Sequence, residues 1–554
     1  MNHDRRWHWV LCVAAFVLGM WWGPLNVVGL DLAYLPGDLG DNRFNNYVLE
    51  RGHRWLTGQE RSFWQATFCY PARWVIACSD AHIGNVPIYS GFRFCGCGPE
   101  RAFQLWWLAT YPLTFLATVW AARKCQLGVI GATVAALVFT FAPPIVVSTG
   151  HAQMFPRYFA PPALAFTWRY LREPTWQRLL GALGCWVGQV YCIVYIGYFL
   201  SLFMIALAIS TMLVSPRSTP WRSLFLPKRR EFLLRMLVVA LAVVALIPLL
   251  RPYLAPDRNR VQTPPEVVME MLPKPLDWLR PSATSATWSW LRTAVGDVEP
   301  APGGLVPFHL FPGGTAVAGM IFGLGCVLVS RRSPQVRLAA TLAIAALLLG
   351  LFILRVGDHS AYRLMLQVPF ASGIRAMFRI GILLLLPLGL LGGLAADRLV
   401  SQWNWRSLPA ILLLLLASID LRSKPASEGT SLLAVVERRE YFAKVLREHP
   451  DAKAVYVFPG RRDLHHAILL HVDVMWASME VGVPTINGWT GQWPEGWFSF
   501  AHYGDLLYWY TIRNGRTTDG LVTFGEPIGY DDTPAKREFR AQFPTRVWPE
   551  SPSE

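Results

Sequence analysis

Charge is what this chain has least of. Only 16% of its 554 residues are Asp, Glu, Lys or Arg, against about a quarter in a typical soluble domain. With 53% apolar residues and 25 tryptophans, the missing charge points to lipid. Also missing are the phosphate loop, the GxGxxG turn, the GxSxG elbow and the HExxH pair. Their absence argues against nucleotide-driven pumps and the common hydrolases. No internal repeat or low-complexity array is evident. The net charge of +15 suits nucleic acid only if the basic residues cluster for it, so their location decides.

A bilayer core about 30 Å thick requires roughly 20 apolar residues in a helix, and about eleven segments approach that length. The clearest are 9–30, 103–122, 127–147, 233–250, 315–329, 338–354 and 380–396. Segment 155–170 is short and carries prolines, 179–213 suffices for two spans, and 408–419 is barely adequate. If Arg5 and Arg6 lie inside and each span crosses once, every short loop assigned to the cytoplasm is basic. These loops hold Arg123 and Lys124; Arg169, Arg172 and Arg178; Lys228, Arg229 and Arg230; Arg331, Arg332 and Arg337; Arg398 and Arg406. This is the positive-inside pattern, and nucleic acid is excluded as a partner. The expected fold class is mainly α. It is a polytopic membrane bundle, residues 1–420, with extracytoplasmic loops 31–102 and 255–310, followed by a small extracytoplasmic α/β domain, 421–554. The N-terminal segment reads as a retained helix rather than a cleaved signal peptide, because its apolar stretch is long and no small-residue cleavage site follows.

The first outer loop, about 70 residues, is too long for a plain connector. From Asn42, NRFNNYVLERGHRWLTG places Phe44, Tyr47, Val48 and Trp55 at helical spacing, which predicts a helix lying at the membrane interface and ending near Gly58. Trp64, Phe68, Tyr70 and Trp74 are expected at headgroup level. Cys69, Cys78, Cys95 and Cys97 share this loop; an oxidising compartment permits disulfides there, and free thiols are the equal alternative. The second loop is proline-rich and predicts an irregular flap, with Trp278, Trp288 and Trp290 as interface anchors or sugar-stacking faces. In the tail, REYFAKVLREH predicts a helix, AKAVYVFP a strand, and LLHVDVMWASMEVG a second strand running into a helix. NGWTGQWPEGWFSF is either a tight turn or a set of tryptophans facing a sugar beside Asn487 and Glu495.

Candidate chemistry gathers at the outer ends of spans. In LPGDLGDNRF, Asp38 and Asp41 sit on a turn built by Pro36, Gly37 and Gly40. Carboxylates there serve as a general base for a hydroxyl, bind a divalent cation, or cap the next helix, and Asp41 stands where an N-cap belongs. Asp80 and His82, followed by Arg93, form a second polar site, with an Asx-turn as the alternative. His151 and Arg157 in GHAQMFPRYFAPP, and Arg375 and Arg379 beyond Arg363, place cations on the outer side. There the positive-inside rule does not account for them, and an arginine fork suits phosphate oxygens.

The first span, the loop opening on aspartates, GNVPIYSGFR, GHAQMFPRYFAPP and VPFASGIRAMFRIGILLLLPLG together resemble the GT-C superfamily of polyprenyl-phosphate-sugar-dependent glycosyltransferases. The nearest flavour is the bacterial YfhO-like membrane proteins. The resemblance covers residues 1–420. It implies a bacterial inner-membrane enzyme that takes sugar from a polyprenyl-phosphate donor among the membrane lipids to an extracytoplasmic acceptor. Asp38 or Asp41 would serve the acceptor, and Arg157, Arg375 and Arg379 the donor phosphate. No WWDYG-type signature and no fixed DxD are present, so a divalent-cation cofactor stays open, and the tail has no family role. A transporter or flippase would need ionisable residues at mid-membrane, whereas the span centres here are nearly uncharged. A non-catalytic component of surface-polysaccharide assembly is the third class.

Overall fold

The computed structural model describes residues 3–525, except 38–39, 216–219, 256–262, 297–307, 330–332, 369–372, 403–406, 423–429, 461–463, 498 and 501. The chain is mainly α-helical and divides into two compact units. The first holds Met1–Leu32, Gln104–Ile247 and Gln262–Glu428, and the second Ala33–Phe103, Pro248–Val261 and Gly429–Glu554.

Among the described residues, seven helices are long and apolar enough to cross a membrane, and the chain is a multi-pass membrane protein. They are Arg6–Val28, Pro99–Lys124, Val129–Val146, Val194–Val214, Arg229–Leu254, Pro334–Ile353 and Met377–Ser401. Two of the weaker segments fall short of that length, Ala160–Arg172 with 13 residues and Ser407–Asp420 with 14, and so does one expected among the clearest, Gly314–Leu328 with 15. The long segment 179–213 does split in two as expected. The break is at Ile193, whose extended backbone caps Trp176–Cys192 and opens Val194–Val214.

Lipid is as apolar as leucine, so spanning helices gain little by burying apolar side chains against one another; close approach at small residues holds them instead. In the first unit that approach is extreme. A Cβ added at Gly393 would lie 2.2 Å from the Gly131 carbonyl oxygen, one at Gly389 2.8 Å from the Ala135 carbonyl oxygen, and one at Gly319 2.3 Å from the Gly392 nitrogen. Three helices thus touch backbone to backbone. Two carboxylates fasten the same layer. Asp397 accepts the backbone N–H groups of Gly128 and Gly131 at the start of Val129–Phe141. Asp420 accepts those of Gly314 and Thr315, both at 2.8 Å, at the start of Gly314–Leu328. Each satisfies donors that a helix leaves unpaired at its N-terminus, with charge of the favourable sign. Trp288 also gives its indole N–H to Asp420 at 2.6 Å. That tryptophan of the proline-rich loop is therefore tied to a carboxylate of its own unit.

The second unit joins the first long loop to the tail. Strand Tyr34–Leu35 pairs antiparallel with Thr430–Ser431, and Ala454–Val457 pairs parallel with Leu521–Phe524. Residues 67–70 bond to 485–487: Cys69 N–H to Asn487 at 3.0 Å, Tyr70 N–H to Thr485 at 2.9 Å, and Thr485 N–H to Thr67 at 2.8 Å. The sequence boundary at 420 puts the loop with the membrane bundle, whereas these hydrogen bonds group it with the tail. The core of the tail packs Phe442, Leu446, Val455, Val457, Val474 and Phe524 together. LLHVDVMWASMEVG contains no strand, because helix Leu464–Val481 runs through all of it but its last residue. Its apolar residues face both that core and a second helix, so they leave no polar face to mark the helical period.

That second helix, Asp41–Leu56, departs furthest from expectation. Its bounds agree with the sequence reading: Thr57 is the C-cap, and Gly58 follows at φ +76°, a left-handed value that glycine adopts without cost. Its setting does not. Every residue from Asn42 to His53 is buried, whereas an interfacial helix buries one face. Phe68 is buried with it and meets Tyr47 edge-on at 5.3 Å. All nine cysteines are free thiols in the structure, and Cys69 and Cys78 are buried.

Replacing Gly393 by leucine is expected to force helices apart where no atom can yield, costing about 3 kcal/mol or more. The midpoint of thermal unfolding in detergent should fall by several degrees, while Gly350→Leu, where a Cβ meets open space, should leave it within about 1 °C.

Candidate functional site

Twelve buried positions on a helix rich in Asn, Arg and Glu demand partners, since a buried charge without one is strongly destabilising. The second unit supplies them. Asp473, fully buried on helix Leu464–Val481, accepts from Arg43 and, at 2.7 and 2.6 Å, from Arg438. Glu50 accepts from Arg93 at 2.8 and 3.2 Å, from Tyr89 at 2.8 Å and from Arg54 at 3.3 Å. Arg51 donates to the carbonyls of Phe63, Ser62 and Gln65, which fixes the loop that follows the helix. Helix Val86–Phe94 crosses at Gly52, where a Cβ would lie 2.3 Å from a Val86 methyl.

Several predicted site residues are absorbed into this scaffold. Arg93 is the paired cation of Glu50. His82 is fully buried, with its Nε2 2.8 Å from Asn45 Oδ1 and its Nδ1 3.2 Å from Asn85 Nδ2. An acceptor on one side and a donor on the other define the neutral Nε2–H tautomer. Burial lowers its pKa to about 3. His82 also holds φ +54°, uncommon for a residue with a Cβ. It is a structural histidine at a tight turn, and Asp80, two residues before it, is buried as well. Asp38 lies outside the described residues.

Asp41 is different. It is the first helical residue, with Gly40 as the N-cap. The carboxylate accepts the indole N–H of Trp489 at 2.9 Å and remains half-buried. Trp489 meets Trp493 edge-on at 5.3 Å, and Trp493 stacks on Trp497 at 4.5 Å with 17° between the rings. Trp497 is buried and donates to the Ile486 carbonyl at 2.9 Å, while Trp489 and Trp493 keep part of their surface open.

The loop carrying this ladder is clamped from below. Asn487 donates to the Val457 carbonyl and accepts from its N–H, both at 2.8 Å. Its amide also donates to His471 Nδ1 at 3.0 Å, which leaves the proton on Nε2, 2.8 Å from Ser499 Oγ. Ser499 is thus an acceptor, and His471 is no base for it; burial lowers the pKa of His471 to about 4. A Cβ at Gly488 would lie 2.3 Å from Cys69 Sγ and one at Gly491 3.1 Å from Ser79 Oγ, so the backbone seats directly on the first-loop segment. Asn487 is therefore a buried clamp, and Glu495 is an exposed partner of Arg513 at 2.7 Å. A carboxylate beside two open, rigidly backed indoles can bond a hydroxyl while the rings cover the apolar face of a sugar.

In the first unit, Arg157 is fully buried, donating to the carbonyls of Met154 at 3.0 Å and Phe139 at 3.2 Å, with the rings of Phe139 and Phe155 at 5.2 and 5.9 Å. No carboxylate among the described residues pairs with it. Tyr195 brings the other two arginines together: its hydroxyl accepts the backbone N–H of Arg375 at 3.3 Å, and its ring lies 5.8 Å from the Arg379 guanidinium. The Arg375 side chain is exposed, and His151 is half-buried. No group of three or more His, Cys, Asp or Glu able to hold a metal ion occurs among the described residues.

No protein family and no curated protein matches this chain in sequence. Among solved structures, the archaeal oligosaccharyltransferase AglB from Archaeoglobus fulgidus is similar at 12% identity and a TM-score of 0.47, over 88% of this chain and 65% of that one. The arabinofuranosyltransferase AftD from Mycobacteria is similar at 17% and 0.43, over 82% of this chain and 31% of that one. ArnT from Cupriavidus metallidurans is similar at 13% and 0.42, over 87% and 90%. The chain thus spans just under two thirds of the length of the archaeal enzyme. With every one of these TM-scores below 0.5, the likeness by itself decides nothing about this chain.

Two measurements test the buried scaffold. Asp473→Asn leaves Arg43 buried without its charge partner and should cost about 3–5 kcal/mol. His82 and His471, neutral when folded, take up protons first in the unfolded chain. Stability should therefore fall as pH drops below about 6.5, by a total on the order of a few kcal/mol by pH 4. Thermal unfolding across that range should show the loss, and His82→Gln should reduce its slope.

Proposed function

We propose that the chain is a membrane glycosyltransferase that moves a sugar from a polyprenyl-phosphate donor to an extracytoplasmic hydroxyl-bearing acceptor, with Asp41 as the acceptor's base. The observation that carries this reading is the Asp41 carboxylate held by the Trp489 indole at 2.9 Å, beside the half-open faces of Trp489 and Trp493. An ionised carboxylate has about four acceptor sites. The Trp489 indole N–H fixes its direction. As an acceptor oxygen attacks the anomeric carbon, the proton passes from that oxygen to Asp41 and the bond to the departing phosphate breaks. The phosphate is a good leaving group that needs only cations nearby.

The first unit's arginines suit that second need. Arg157 is a desolvated guanidinium with no carboxylate partner among the described residues, so an anion would restore the charge balance that burial upsets. Arg379, half-buried on Tyr195, is the second candidate, and Arg375 the third. The residue order GHAQMFPRYFAPP to SGIRAMFR, which resembles the GT-C superfamily, supports the same assignment. Trp489 and Trp493 would select a sugar-bearing acceptor over a simple alcohol, because stacking needs the apolar face of a ring.

Asp41→Asn keeps the shape and the bond to Trp489 while removing basicity. Transfer from a labelled polyprenyl-phosphate sugar should fall by about 10²–10⁴ in kcat, with unfolding temperature unchanged. Unimpaired transfer by this variant would sink the proposal. Trp493→Ala is expected to act mainly on acceptor KM, raising it about tenfold, the equivalent of about 1.4 kcal/mol.

A further inference from the structure

In the first unit, a cavity of about 320 Å³ opens where helices Pro99–Lys124 and Ala160–Arg172 end and Pro334–Ile353 begins. Five cationic side chains line it, Arg123, Lys124, Arg169, Arg172 and Arg178, against one carboxylate, Glu173. That carboxylate is already engaged: Arg178 donates to it and, at 2.8 Å, to the Glu173 backbone carbonyl. Among the described residues no carboxylate pairs with Lys124, Arg169 or Arg172.

Basic residues at helix ends need not converge to satisfy the positive-inside rule, and like charges that do converge repel. Here they converge and are held in place. The Arg172 guanidinium lies over the Trp168 ring at 5.5 Å and the Lys124 ammonium over Trp120 at 5.6 Å. Arg123 donates to the Leu127 carbonyl and Arg178, at 3.3 Å, to that of Arg169. Gln126, at φ +70°, turns the backbone that forms one wall. Such a concave array of preset donors with surplus positive charge matches a compact, multiply charged oxyanion.

We propose that this cavity binds a phosphate-bearing anion, independently of the transfer reaction. Two sources share that chemistry. A lipid headgroup can reach the cavity because two of the helices that frame it, Pro99–Lys124 and Pro334–Ile353, are spanning helices and the cavity sits at their ends. A soluble phosphate can reach it from water.

The full chain in nanodiscs separates them. In phosphatidylcholine alone, the unfolding midpoint is compared with that in discs containing phosphatidylglycerol, and with that after adding inorganic phosphate at millimolar concentration. A rise of about 3 °C or more is expected in at least one arm, and it should be lost in Arg169→Gln/Arg172→Gln. A response to phosphatidylglycerol alone assigns the headgroup, and a response to inorganic phosphate assigns the soluble anion. Arg229→Gln/Arg230→Gln removes the same charge outside the cavity and should keep the response. The proposal is overturned if neither arm shifts the wild type. It is also overturned if the cavity variant keeps the shift, or if the control variant loses it too, since the effect would then be delocalised charge.

Discussion

The second unit depends on one constraint, that a polar helix can be its core only if each buried charge meets an opposite charge or a carbonyl. Asn42–His53 is closed off on all sides. Its charges are answered by Asp473 for Arg43, by Arg93 and Arg54 for Glu50, and by three loop carbonyls for Arg51. Buried ion pairs of this kind add little net stability over apolar packing, but they penalise every mispaired arrangement. Their value here lies in position. They set the axis of the helix, and that axis sets where Asp41 emerges at its first residue. The Trp489 ladder, clamped by Asn487 and His471, is fixed from the opposite side by an equally dry network. The carboxylate and the indoles are thereby preorganised, so a ligand meeting them would not bear the cost of ordering them.

The two units solve burial in different ways. In the first, charges are sparse and glycine carries the packing, with Asp397 and Asp420 placed only where helix N-termini expose unpaired N–H groups. In the second, charges are frequent and buried ion pairs join the glycine contacts at Gly52 and Gly488 and the short strands in holding the pieces together. A membrane environment explains the contrast, because lipid cannot satisfy a stray polar group and water can.

Much of the architecture was legible in the sequence. Apolar runs of spanning length marked the long helices, the break inside 179–213 was anticipated, and the helix from Asn42 to Gly58 was bounded within a residue or two. Its environment was not legible, because Phe44, Tyr47 and Val48 at helical spacing describe an amphipathic helix equally well whether the other face meets water or buried partners. Those partners lie up to 430 residues away along the chain. His82 and Arg93 have nearer partners, Asn45 and Glu50, 37 and 43 residues away, but these too lie beyond any local motif. Asp41 was singled out by its position after a glycine turn. The indole that orients it was not found, although NGWTGQWPEGWFSF was already marked as aromatic and glycine-rich.

The second unit is assembled from pieces made far apart in time. Arg43 and Asp473 are separated by 430 residues, which at about 5–20 residues per second is roughly 20–90 s of synthesis. Throughout that interval the first piece must wait with Arg43 lacking its partner and its strand edge Tyr34–Leu35 unpaired, while the spanning helices from Pro99–Lys124 to Met377–Ser401 are made. A nascent chain in this state is an exposed client, so quality control should recognise the protein by its unfinished first loop until the last hundred residues arrive.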